Sequence, residues 1–163
     1  MADASHRIIR ITVDNPSIVR YQRDAEREID VAIYDLVETN SFRPDPAFFG
    51  GAPHGPYVIT LRVQDNRLVF DIDRDSGVKI GAVMISVQPL RRTIREYFTV
   101  CQSYYEAIRT AAPPQIETID VGRRSLHDEG SERLRAQLAG KVDIDFDTAR
   151  RLFTLICALH IRA

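Results

Sequence analysis

The alternation of apolar and polar positions sets the first element. Residues 8–13 read as a strand with Ile9, Ile11 and Val13 on one face. Asp14, Asn15 and Pro16 then supply cap candidates and a first-turn proline. From there the period lengthens: Ala25, Ile29, Ala32, Ile33, Leu36 and Val37 recur at three- and four-residue spacing, the stripe of a helix that runs to Glu38. Arg20, Arg23 and Arg27 interleave with Asp24, Glu26, Glu28 and Asp30 off that stripe, which predicts a solvated face with helical ion pairs. Residues 41–56 carry Pro44, Pro46, Gly50, Gly51, Pro53, Gly55 and Pro56 and are expected to form a long loop. Phe42, Phe48 and Phe49 would pin it to the body, and His54 is a lone loop histidine.

A strand meander follows. Tyr57, Ile59, Leu61 and Val63 share a face, and a two-residue turn at Asp65-Asn66 sets Val63 opposite Leu68, Leu61 opposite Phe70 and Ile59 opposite Ile72. A second turn at Asp75-Ser76-Gly77, with Gly77 left-handed, pairs Asp73 with Lys79. It further predicts Ile72 opposite Ile80, Phe70 opposite Ala82 and Leu68 opposite Met84. The other face carries Arg62, Asp71 and Gly81 but also Val69, Val83 and Ile85.

The remainder is helical. Pro89 opens a helix with the stripe Leu90, Ile94, Tyr97, Phe98, Cys101, Tyr104, Tyr105 and Ile108, stopped before Pro113-Pro114. A third helix starts there and runs to Leu138, with Gly140 as its stop. Asp145 is the cap candidate of the last helix. Phe146, Ala149, Leu152, Phe153, Leu155, Ile156, Cys157 and Leu159 make that helix apolar around more than half its circumference, so it should be buried. His160, mid-stripe on it, is expected to be an ordinary satisfied core histidine.

The third helix is the unusual one. With Ile119 at zero, its apolar stripe runs through Leu126, Gly130 and Leu134, and Arg123 falls inside it at about 40°. His127 and Asp120 lie on the shoulder. A guanidinium directed at a core must be paired or must hold something, because an unpaired buried charge costs several kcal/mol. Two readings stay open. In one, Arg123, with Arg124 beside it, grips a carboxylate or phosphate, His127 donates or moves a proton, and Asp120 orients them. In the other, these residues form a structural network that fixes how the helix docks, closed by Glu117 or another acid. Gly122 and Gly130 would let a neighbouring helix come close in either case. A shared metal is not expected: Asp120 and His127 stand about 10 Å apart along the axis.

Composition narrows the classes. A chain of 163 residues with 44% hydrophobic and 28% charged content is long enough to bury a core without disulfides or metals. The net charge of −1 gives no global attraction to nucleic acid or membrane, so any anion binding must be local. Among the 22 basic residues, the lysines are Lys79 and Lys141 and the rest are arginine, the better bidentate partner of carboxylate and phosphate. Read over the whole chain, that bias has the ordinary explanation of a coding preference. Cys101 and Cys157 fall on apolar stripes and read as buried thiols of a reducing compartment. No stretch has the length of a membrane span or the pattern of an export signal, so the cytoplasm is expected.

Arg91, Arg92 and Arg95 begin the second helix, where free backbone amides add to an anion site. A helix, three antiparallel strands and a helix that opens with basic residues resembles the double-stranded-RNA-binding domain over residues 25–108. Residues 72–77 are not basic, and the first helix is too long for that family. Arg150 and Arg151 open the last helix in a similar way, with Asp145 and Asp147 beside them as an electrostatic explanation.

The strings AIYDLVETNSF (32–42), GPY (55–57), RLVFDI (67–72), PLRRTIREYF (89–98), PPQIETIDVGRRSLHDEG (113–130) and DFDTARRLFTLICALHIR (145–162) resemble one bacterial family, Uncharacterised Protein Family 0262. The resemblance implies a small cytoplasmic protein without an established activity or assigned catalytic residues.

The expectation is therefore a single α+β domain over residues 1–163. It has an N-terminal strand and long helix, a three-stranded antiparallel meander, and three C-terminal helices packed on the sheet. The leading functional expectation is a non-enzymatic binding or regulatory protein without a cofactor. Its site would comprise Asp120, Arg123, Arg124 and His127 and would take a small anion or a protein partner, a second copy of the chain included. RNA binding through Arg91, Arg92 and Arg95 is one alternative. The other is an enzyme acting on an anionic substrate with His127 as acid or base.

Overall fold

A computed structural model describes residues 5–14, 23–51 and 53–159. Asn15, Pro16, Arg20 and His160 lie outside the described residues, as do the side chains of Arg23, Asp24, Ala25, Glu26 and Glu28. In chain order the elements are β1 (Ile8–Asp14), α1 (Arg23–Glu38), β2 (Phe42–Pro44), α2 (Pro46–Phe49), β3 (Tyr57–Gln64), β4 (Arg67–Arg74), β5 (Lys79–Ser86), α3 (Gln88–Thr110), α4 (Pro113–Leu138), β6 (Val142–Ile144) and α5 (Phe146–Leu159). The architecture is α+β, as expected. A four-stranded sheet is ordered β1-β3-β4-β5, and a two-stranded sheet joins β2 to β6.

The turn chemistry sets the β3–β4 hairpin. Asp65 and Asn66 both adopt positive φ, as a tight hairpin turn of matching twist requires. Val63 consequently faces Leu68, Leu61 faces Phe70 and Ile59 faces Ile72, the expected register. Between β4 and β5 the expectation fails by one residue. Asp73 does pair with Lys79, but an irregularity then shifts the ladder, so Ile72 faces Gly81, Phe70 faces Val83 and Leu68 faces Ile85. One extra residue in a strand reverses the face of everything beyond it. Val83 and Ile85 therefore enter the core, while Met84 is half exposed.

Strand β1 lies parallel to β3 and carries its own bulge. Ile8 pairs with Tyr57 and Arg10 with Val58, so Ile9 is the extra residue. This brings Ile8 and Ile11 onto the core face, where Ile9 and Ile11 were expected. Asn40, just past α1, holds the bulged end. Its side-chain oxygen accepts from Ile8 N at 2.7 Å, and its amide donates to Ile8 O at 2.9 Å and Leu36 O at 2.7 Å.

The expected loop at 41–56 instead contains β2 and α2. Phe42, Arg43 and Pro44 pair antiparallel with Ile144, Asp143 and Val142. Asp45 accepts from Ala47 N at 2.8 Å and caps α2. Of the three phenylalanines, Phe42 is fully buried and Phe49 packs against the core, whereas Phe48 is exposed. Thr148 on α5 fastens this segment, its hydroxyl accepting from Ser41 N at 3.0 Å.

Helix α5 is buried along most of its length and contacts α1 and α4. Its cap is Asp145, which accepts from Thr148 N at 2.9 Å. Helices α3 and α4 form an antiparallel-neighbour pair joined by the short 111–112 link. The stripe of α4 differs from expectation. His127, Gly130, Ser131, Leu134 and Leu138 are buried, which centres the stripe about 75° from Ile119. His127 thus sits within the buried face. Arg123, at about 40°, points the same way but lies before His127, on the stretch where α4 buries no side chain. At Gly130 a Cβ would come within 2.2 Å of the Phe153 ring, so small and polar side chains mark the contact with α5. Gly122 has nothing within 4 Å of such a Cβ and admits no neighbour.

Candidate functional site

Helix α4 buries no side chain before His127, and around Arg123 it walls, with α1, α3 and α5, a groove of about 750 Å³. Arg123 lies in this groove and not in the core, with about a quarter of its side chain exposed. Its Nε and Nη2 both donate to Asp120 Oδ1, at 3.1 and 2.7 Å. The guanidinium carbon stands 4.7 Å from the centroid of the Tyr104 ring, a cation–π contact. Burial works against its charge, but the hydrogen bonds it donates to Asp120, with Tyr97 and the Asp120 charge adding to them, more than offset this and raise its pKa. Asp120 also lies 3.3 Å from Arg124 Nε. The hydrogen bond to Arg123 holds the Asp120 carboxyl below its ordinary pKa, so this one carboxylate stays ionised and organises two arginines. The acid that closes the network is Asp120, and Glu117 is exposed.

His127 is buried, at 9% exposure, with Tyr97 and Phe153 edge-on at centroid distances of 5.3 and 5.2 Å. Its Nε2 lies 2.8 Å from Thr154 Oγ1, whose hydroxyl donates to Arg150 O at 3.3 Å. With that proton spent on a carbonyl, the imidazole donates from Nε2 and leaves Nδ1 as an acceptor. Nδ1 is buried without a hydrogen-bond partner. Protonating it would bury an unsatisfied N–H, and burial, with the Arg150 charge adding to it, lowers the pKa to about 4. His127 is therefore neutral at physiological pH.

The groove draws in residues that the sequence did not place together. Arg27, Arg109, Arg123, Arg124, Arg150 and Arg151 line it, against Asp35 and Asp147. Arg27 was expected on a merely solvated face. Arg150 pairs at 3.3 Å with Asp128 of α4, where Asp145 and Asp147 were the expected partners. Arg151 donates to Thr39 O at 3.0 Å. These arginines sit on different helices, and only their spacing from buried stripes hinted at a common side.

Arg91, Arg92 and Arg95 do not line this groove. Arg91 donates to Asn66 Oδ1 in the β3–β4 turn, and Arg92 pairs with Glu96 at 3.0 Å. Arg95 is exposed. Both cysteines, Cys101 and Cys157, are buried. Among the described residues, no helix is long and apolar enough to cross a membrane.

Fold and groove together define a small α+β protein with a cationic groove between helices. The chain belongs to the uncharacterised protein family UPF0262, whose model matches residues 5–162. A UPF0262 protein of Rhodopseudomonas palustris (strain HaA2) is 51% identical over 158 residues, spanning 97% of this chain and 94% of the relative. One from Nitrobacter winogradskyi is 51% identical, with 97% and 92% covered, and one from Brucella canis is 50% identical over 156 residues, with 96% and 94% covered. No solved structure matches the chain. Membership of this family carries no assigned activity.

Proposed function

We propose that this is a non-enzymatic binding or regulatory protein of the bacterial cytoplasm whose interhelical groove holds an anion. One observation carries the reading: six arginines from four helices converge on one groove, outnumbering its lining acids Asp35 and Asp147 and the ion-pair partners Asp120 and Asp128 taken together, in a chain of net charge −1. Arg123 and Arg124 are already oriented by Asp120, which lowers the ordering cost of a bidentate contact. Inorganic pyrophosphate should raise the unfolding temperature beyond a sodium chloride control of equal ionic strength. Arg123→Lys keeps the charge but loses the fork, and should weaken binding about tenfold. Absence of any stabilisation beyond the salt control would sink the proposal.

A second reading, an enzyme on an anionic substrate, draws on Thr154 standing within hydrogen-bond reach of His127 while both line the groove. A histidine of such low pKa is a weak base at neutral pH, which favours the binding role. RNA binding has less support, since Arg91 and Arg92 are engaged within the chain.

A further inference from the structure

The groove wall is not uniformly charged. Arg123, Arg124, Arg150 and Arg151 come from α4 and α5. Helices α1 and α3 add Arg27, Asp35 and Arg109 but also Val31 and Ile108, which leave 52% and 51% of their surface in water, and the ring of Tyr105. An inorganic anion satisfies the arginines and leaves these apolar groups wet. A groove of about 750 Å³ is also far larger than such an ion and lies in the range of small-molecule sites.

The charged side is built for more than one anionic centre. Asp120 organises Arg123 and Arg124, and Asp128 holds Arg150, so two separately braced cationic clusters share the groove. We infer that the groove takes an organic diphosphate with a ring-bearing apolar body, its phosphates on the arginines of α4 and α5 and its body against Val31, Ile108 and Tyr105. The inference rests on the anion-binding reading above. It adds that recognition is bipartite, with apolar contact contributing affinity that phosphate alone does not.

Calorimetric titration of the full chain with a purine nucleoside diphosphate, with pyrophosphate and with ribose 5-phosphate tests this. The nucleoside diphosphate should bind about tenfold more tightly than either of the others. Val31→Ser combined with Ile108→Ser changes two half-exposed positions and should erase that advantage while leaving pyrophosphate affinity unchanged. Pyrophosphate binding as tightly as the nucleotide overturns the bipartite site and leaves the anion reading standing. A full nucleotide advantage retained in the double variant also overturns it, because the apolar side is then elsewhere. Binding of none of the three overturns both readings.

Discussion

His127 couples the core to pH. Its pKa falls from 6.5 to about 4 on folding, so the unfolded chain binds the proton more tightly. Stability is then fully present above the unfolded value and is lost as pH drops through the folded one, by up to about 3 kcal/mol. His127→Gln should remove this dependence; urea unfolding at about pH 7 and about pH 4.5 compares the two proteins. An identical loss in both would show that the histidine is not responsible. The two glycines of α4 give opposite expectations. Gly130→Ala pushes a methyl into Phe153 and should destabilise by about 1–3 kcal/mol. Gly122→Ala meets open space and should stabilise by up to about 1 kcal/mol through helix propensity. Thermal melts of both variants check the pair. Asp120, Arg123, Arg124 and His127 were legible as one cluster because they share consecutive turns of one helix. That Arg123 stays out of the core was not, because helical phase gives the direction of a side chain but not where along α4 the core begins, and burial starts only at His127.

At the level of elements, legibility tracked how locally each was determined. The β3–β4 register follows from two residues, Asp65 and Asn66, and could be derived to the last pair. The β4–β5 and β1–β3 registers depend on bulges that no composition signal announces, and each moved a set of side chains across the sheet. Strands β2 and β6 have three residues each, too few for an alternation to register, and pair across a separation that only the folded chain closes. Asp145 was legible as a cap because its chemistry is local. Asp145→Ala removes the bond to Thr148 N and should cost about 1 kcal/mol. Since Thr148 also receives Ser41 N, faster amide exchange at 41–44 should accompany that loss; unchanged exchange there would separate the cap from the clasp.

On the scale of the whole molecule, the groove exists only because four helices meet. Arg27, Arg109, Arg150 and Arg151 each look unremarkable on their own helix, and tertiary approach alone makes them neighbours. The surrounding stability should therefore be felt in binding: Gly130→Ala, which displaces α5 from α4, should weaken anion binding although it touches no ligand, whereas Gly122→Ala should not. Titration of both with pyrophosphate distinguishes them. The position of α5 has a further consequence, one in time. The helix on which α1 and α4 rest follows both of them in chain order, so during synthesis they emerge before their common support. A ribosome-bound chain ending before residue 145 carries every arginine of α1, α3 and α4 but no groove to put them in. The groove can therefore take shape only once α5 has emerged, however early the helices before it fold.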